Sequence, residues 1–149
     1  MRAVVQRVTD AKVSVEGTVR GSIGAGMCVL LGVEDGDGDK DLDYIADKVS
    51  GLRIFDDDNG IMNRSILDTG GEILSISQFT LLGDVRHGKR PSWIRAERPE
   101  QANEMYMRFN EALRAKGIHV EEGVFQAEML VEIHNDGPVT ILLDSRKIF

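Results

Sequence analysis

Cysteine is nearly missing from this chain of 149 residues: there is one, Cys28. A lone cysteine cannot close an internal disulfide, and its setting, GMCVLLGV, reads as strand core rather than as the surroundings of a nucleophile. A reducing, cytoplasmic location is the expectation. Long apolar runs are missing too. The longest, Met27 to Leu31, is far too short to cross a bilayer, so no membrane role is expected. The opening MRAVVQRV breaks its apolar residues with Gln6 and Arg7, unlike a signal peptide. Metal-ligand spacing is also lacking. His87, His119 and His134 stand far apart with no paired Cys or His, and His134 reads as a partly buried packing residue on a strand. DDDNG (Asp56 to Gly60) starts like a calcium loop, but no Glu follows at the closing offset, where Leu67 stands. A hairpin turn around Asn59-Gly60 accounts for it. No metal is expected. Cations are in deficit, 18 Lys and Arg against 25 Asp and Glu, for a net charge of −7. This argues against general binding to nucleic acid while leaving room for a local basic patch.

What is present is the pattern of one domain spanning residues 1–149, with an apolar fraction of 42%, enough for a sizeable core. MRAVVQRVTDAKVSV is Val-rich and partly alternating, as a strand would be, and two short strands follow between Gly-rich turns. Leu42, Ile45, Ala46, Val49 and Leu52 recur at helical spacing, as do Ala102, Met105, Tyr106, Phe109 and Leu113 in a helix from about Pro99 to Lys116, stopped by Gly117. EILSISQFTLLG, Glu72 to Gly83, reads as the clearest central strand. Further strands are expected at LRIF, IHVEEGVF and on both sides of a Gly137-Pro138 turn. The fold class expected is α/β: a mixed, largely antiparallel, barrel-like sheet of seven or eight strands with two main helices.

Three stretches carry chemistry. The first is the loop from Asp84 to Arg98, in which Arg86, Lys89, Arg90, Arg95 and Arg98 outnumber Asp84 and Glu97, with His87 and Trp93 interleaved. Cations meet phosphate and an aromatic ring stacks on a base; a solvated loop with Trp93 packed on the core reads equally well. The second is SISQFTLLG. In an unbroken strand Ser77 and Phe79 would face one side, Gln78 and Thr80 the other. Hydroxyl and amide groups in a buried strand need partners, so they either bond to neighbouring loops or line a pocket. In a pocket, Ser77 or Thr80 would be a nucleophile, or backbone N–H groups would hold an oxyanion, but no Ser–His–Asp spacing is evident. The third is HNDGPVTILL, where Gly and Pro interrupt a strand-like run.

SQFTL (Ser77 to Leu81) and NDGPVT (Asn135 to Thr140) together resemble the paired signatures of the D-aminoacyl-tRNA deacylases. MRAVVQRV, GKRPS (Gly88 to Ser92) and the order of elements extend the resemblance over essentially the whole chain. It implies hydrolysis of the ester joining a D-amino acid to tRNA, and removal of glycine mischarged on tRNA for alanine, without metal or cofactor. It also implies a homodimer with active sites at the subunit interface, where a cis Gly137-Pro138 of one chain enters the pocket formed by SQFTL of the other. The catalytic positions implied are Ser77, Gln78, Phe79 and Thr80, with backbone N–H groups near Phe79 and Thr80 holding the reacting end. The terminal 2′-hydroxyl of the tRNA would help to activate water. Gly137 and Pro138 form the chiral filter, Arg7 braces it, and Phe125 and Met129 form pocket wall. A rigid backbone edge rejects one enantiomer by clash, whatever its side chain, and cannot exclude glycine. A general esterase or amidase using Ser77 or Thr80, and a dimeric RNA-binding module without catalysis, are the competing readings.

Overall fold

The Val-rich N-terminal segment organises the sheet. In the computed structural model of the chain, which describes residues Met1–Phe149, it forms a 14-residue strand, β1 (Arg2–Val15). Its length lets it serve three antiparallel partners. β3 (Gly26–Gly32) pairs with its first half, β2 (Thr18–Ile23) with its second, and the C-terminal β8 (Leu130–Asp144) with nearly all of it. β6 (Glu72–Ser77) then adds to β3 in parallel, and β7 (Val120–Glu122) to β6. The order is β2-β1-β3-β6-β7, with β8 on the other edge of β1. The sheet curls until it nearly closes: a Cβ on Gly21 of β2 would stand 3.0 Å from the carbonyl oxygen of Glu122 in β7. A separate hairpin, β4 (Phe55–Asp56) and β5 (Met62–Arg64), turns at Asp57–Gly60, where the Asp57 carboxylate accepts the N–H of Asn59 and Ile61.

Curling gives the sheet two apolar layers. Outside it, 22 buried residues join the sheet to α1 (Asp39–Gly51) and α3 (Pro99–Ala115). Inside it lie Val8, Ala11, Val13, Ile23, Cys28, Leu74 and Ile76. β3 is covered on both faces, which explains its unbroken apolar composition. Burial pushes the Cys28 thiol up to about 12. β1 must serve both layers, with Ala3 and Val5 outside and Ala11 and Val13 inside. These are all odd positions, so strict alternation would forbid it. Between Val8↔Asn135 and Asp10↔His134 the strand carries one extra residue, Thr9, a bulge that reverses the alternation.

The two long helices match the periodicity. Leu42, Ile45, Ala46 and Val49 are buried in α1, with Leu52 half-buried at its C-cap, and α3 buries Ala102, Met105, Tyr106, Phe109 and Leu113. Phe109 and Leu113 are fully covered; burying each is worth about 1.5–3 kcal/mol, and Phe109→Ala would cost about 3–5 kcal/mol. A short helix, α2 (Ile66–Thr69), is capped by Ser65, whose hydroxyl accepts the Asp68 N–H. No helix is long and apolar enough to cross a membrane.

Three local expectations are corrected. The strand read as Glu72 to Gly83 stops at Ser77, and Phe79–Leu82 forms a 3-10 turn. The cause is its neighbour. β3 ends at Gly32, so the Gln78 N–H bond to the Leu31 carbonyl is the last the pair can make. The chain then folds over Gly32, where a Cβ would collide with Leu82. The alternation assigned to Ser77–Thr80 therefore does not exist. The segment around Gly137-Pro138 is not a turn between two strands but an excursion within β8. Gln6 faces Thr140 and Val8 faces Asn135, so Asp136–Val139 stand opposite Arg7 alone. Finally, His134 is exposed rather than packed, and its Nδ1 lies 2.7 Å from the Asp10 carboxylate across the ladder.

Candidate active site

β3, β6 and β7 run parallel, and their carboxyl ends open on the same side. Crevices at the carboxyl ends of parallel strands are where α/β sheets bind ligands. A cavity of about 850 Å³ lies here. β3 contributes Val33 just past its end, β6 leads into Ser77–Thr80, and β7 into Phe125 and Gln126. Met129 and Val131 close one side, and Trp93 with the Ala96–Pro99 entry to α3 the other. Most of its wall is apolar, a shape that accepts side chains of many kinds.

The break of β6 at Ser77 builds the reactive corner. Phe79 and Thr80 open the 3-10 turn, and no carbonyl of the chain accepts either backbone N–H, as expected for the first residues of such a turn. The Gln78 side-chain amide donates to Thr80 Oγ1 at 3.0 Å. Phe79 is exposed and meets the Trp93 ring edge-on, centroids 5.4 Å apart at 72°. Gly83 makes this possible, since a Cβ there would stand 2.6 Å from the Trp93 ring. Beneath the floor, the Tyr106 hydroxyl donates to the Ser75 carbonyl at 2.7 Å and its ring stacks on Phe125. Burial raises the Tyr106 hydroxyl above its ordinary range, so it stays a neutral donor. Next to it Ser75 Oγ and Asn110 Oδ1 are buried without partners.

No histidine lines the cavity. Its one carboxylate, Glu97, accepts the Arg98 backbone N–H at 2.7 Å. A hydroxyl nucleophile at Ser77 or Thr80 would have no imidazole to take its proton. The corner is instead suited to holding developing negative charge with backbone donors.

Of the residues singled out by sequence, Ser77, Gln78, Phe79, Thr80, Phe125 and Met129 converge on this cavity. Gly137, Pro138 and Arg7 do not line it. The Gly137-Pro138 peptide is cis and both residues are exposed. Arg7, nearly buried, reaches beneath them. Its Nη1 donates to the Ile54 carbonyl at 2.8 Å and lies 3.6 Å from Asp56, while its Nε is 3.2 Å from the Asp136 carboxylate, too poorly aligned for a hydrogen bond. A Cβ on Gly137 would come within 3.0 Å of Arg7 Nη2. In the basic loop, Arg86 is held by Asp84 and Arg95 by Glu34, while Arg98 sits at the cavity rim. Sequence reasoning missed Val33, Ala96, Gln126 and Ala127 as lining. Val33, Ala96 and Ala127 are small or apolar and Gln126 is a lone amide, all of them in connections, and only the parallel alignment of β3, β6 and β7 brings them together.

A curled α/β sheet with an apolar cleft at its parallel strand ends, rimmed by free backbone donors, is the form of a small-ligand site. The chain belongs to the D-Tyr-tRNA(Tyr) deacylase family, whose pattern matches residues 4–144. It is 60% identical to a D-aminoacyl-tRNA deacylase of Symbiobacterium thermophilum over 149 residues, all of this chain and 99% of that one. It is 54% identical to one of Thermus aquaticus, over 97% of this chain and 95% of that one. Among solved structures it resembles a c-Myc DNA unwinding element binding protein, with TM-score 0.91 and 44% identity over 97% of this chain and 98% of that one. The fold alone is shared with a probable eukaryotic D-amino acid tRNA deacylase, with TM-score 0.80 and 17% identity over 96% of this chain and 98% of that one.

Proposed function

We propose that this chain hydrolyses the ester bond between a D-amino acid and the 3′ end of tRNA, releasing both, and that it also clears glycine mischarged on tRNA for alanine. The observation that carries this reading is the corner at Ser77–Thr80, where free backbone donors face an apolar cavity in a chain that matches its family over residues 4–144. An aminoacyl ester is already labile, so orientation and stabilisation of the oxyanion by the Phe79 and Thr80 N–H groups are enough. Ser77 and Gln78 orient the ligand, Phe125 and Met129 form its wall, and the substrate's own 2′-hydroxyl assists the attacking water.

Handedness is read by exclusion. Gly137 and Pro138 form a backbone edge braced by Arg7, and an edge placed beside the α-carbon clashes with an L-side chain but not with hydrogen. In this reading they act in the cavity of a second copy, in a homodimer with active sites at the interface; their exposure and their position outside the cavity of their own chain support it. The outer edge of β8, unpaired along 15 residues, is consistent with such a partner.

The test is hydrolysis of D- and L-tyrosyl-tRNA side by side, with and without EDTA. D-selective cleavage that EDTA does not alter is expected. Equal cleavage of the two, or cleavage abolished by EDTA, would defeat the reading.

A further inference from the structure

We infer that the hairpin Asp84–Ser92 is a phosphate grip for the single-stranded 3′ arm of an RNA whose last residue occupies the cavity. The inference rests on the proposed function and adds a second contact to it, outside the cavity. The hairpin is a built element: Asp84 and Ser92 exchange two backbone hydrogen bonds, of 2.8 and 2.9 Å, and Gly88 takes the positive φ of +78° that its tip requires. Its cations are not equivalent. The Asp84 carboxylate holds the Arg86 guanidinium against the base of the hairpin. Lys89 and Arg90 are exposed and have no carboxylate partner. In a chain of net charge −7, an unpaired Lys-Arg step on a closed hairpin is the reverse of what solubility alone would favour.

Position supplies the rest. The hairpin joins the cavity wall at both ends, through Gly83 packed against Trp93 on one side and Ser92 next to Trp93 on the other, and Trp93 lines the cavity with Phe79. A chain whose terminal residue enters the cavity carries one phosphate per nucleotide past its rim, and the hairpin adjoins that rim at Trp93. The other groove along α3, between it and α1, is lined by Asp43, Glu100, Glu104 and Glu111 with Arg108 as its one cation, and is a poor surface for a polyanion. The cations of the hairpin attract an RNA to the cavity rim before it docks.

The experiment compares wild type, Lys89→Ala/Arg90→Ala and the charge-keeping Lys89→Arg/Arg90→Lys on two substrates, D-tyrosyl-tRNA and the 3′-D-tyrosyl ester of adenosine. The alanine variant is expected to raise KM for the tRNA on the order of tenfold with kcat little changed, to leave the adenosine ester unaffected, and to flatten the log–log salt dependence by roughly 1.4, that is 0.7 for each of two phosphates. The charge-keeping variant should behave as wild type. Unchanged KM and salt slope on tRNA would overturn the inference, and so would an equal loss on the adenosine ester, which would place the effect in the cavity. Retention of uncharged tRNA on filters, measured for the same proteins, reads the grip without hydrolysis. Weaker retention by the alanine variant supports the grip even if neither ester is cleaved, an outcome that would sink the deacylase reading alone.

Discussion

The side-chain amide of Asn135 donates one hydrogen to the Arg7 carbonyl and one to the Val139 carbonyl, both at 3.0 Å. These two acceptors lie where the four-residue excursion interrupts the ladder between β1 and β8, and the amide replaces the strand donors they lack. Asn135→Asp puts an acceptor against both. We expect a loss of about 1–3 kcal/mol in urea unfolding. Discrimination against L-tyrosyl-tRNA should fall further than D-tyrosyl hydrolysis does. Lost stability with discrimination intact would show that Asn135 holds the sheet and not the filter edge.

Thr80 is expected to be dispensable as a nucleophile. Its hydroxyl already receives the Gln78 amide, and no histidine lines the cavity. In single-turnover deacylation, Thr80→Ala should lose much less than a thousandfold, since its backbone N–H remains. A loss of three orders of magnitude or more, in a folded variant that still binds tRNA, would refute this.

Gly26→Ala should abolish folding. A Cβ there would overlap the Glu72 carbonyl oxygen, a backbone atom fixed by the parallel pairing of β3 and β6. The clash sits at the amino ends of β3 and β6, the far end of the pair from the cavity, and losses beyond about 4 kcal/mol, exceptional for a point change, arise from unavoidable overlaps of this kind. Soluble, cooperatively melting Gly26→Ala protein would contradict this register.

Cys28 should make the protein sensitive to alkali. Its thiol is raised from an ordinary value of 9.0 to about 12 by burial, so the folded chain favours the protonated form. That contribution is complete below pH 9 and is lost as the pH rises toward 12, because the unfolded chain ionises first. The stability advantage of wild type over Cys28→Ala should therefore shrink by about 1.4 kcal/mol per pH unit in this window. Urea unfolding of both proteins at pH 7, 8, 9 and 10 measures it; a pH-independent difference would mean that the thiol is not shielded.

Much of this was legible in the sequence, for definite reasons. The faces of α1 and α3 obey a 3.6-residue period because each packs against one side of a sheet. β3 reads as an unbroken apolar run because both its faces are covered. The cluster Ser77–Thr80 stood out because polar groups in an apolar run need partners. What local pattern could not reveal was where β6 ends, since that depends on the length of β3, 45 residues earlier at Gly32 and Ser77. Nor could alternation show the bulge at Thr9, or that Asp136–Val139 form an excursion opposite Arg7 within one strand rather than a turn between two. Both are properties of a pairing between distant strands. The position of Gly137 and Pro138 outside the cavity of their own chain is likewise a matter of three dimensions.

The pairing of β1 with β8 matters also for the order of events during synthesis. β1 finds β2 and β3 soon after it is made, but the partner for its other edge, Leu130–Asp144, follows more than a hundred residues later. At roughly 5–20 residues per second, that edge waits about 7–30 s with unpaired N–H and C=O groups. An open edge of this kind is a template for a neighbouring chain, and closure by β8 removes it. The same closure fastens the excursion that carries Gly137 and Pro138 to β1 on both sides, at Gln6↔Thr140 and Val8↔Asn135.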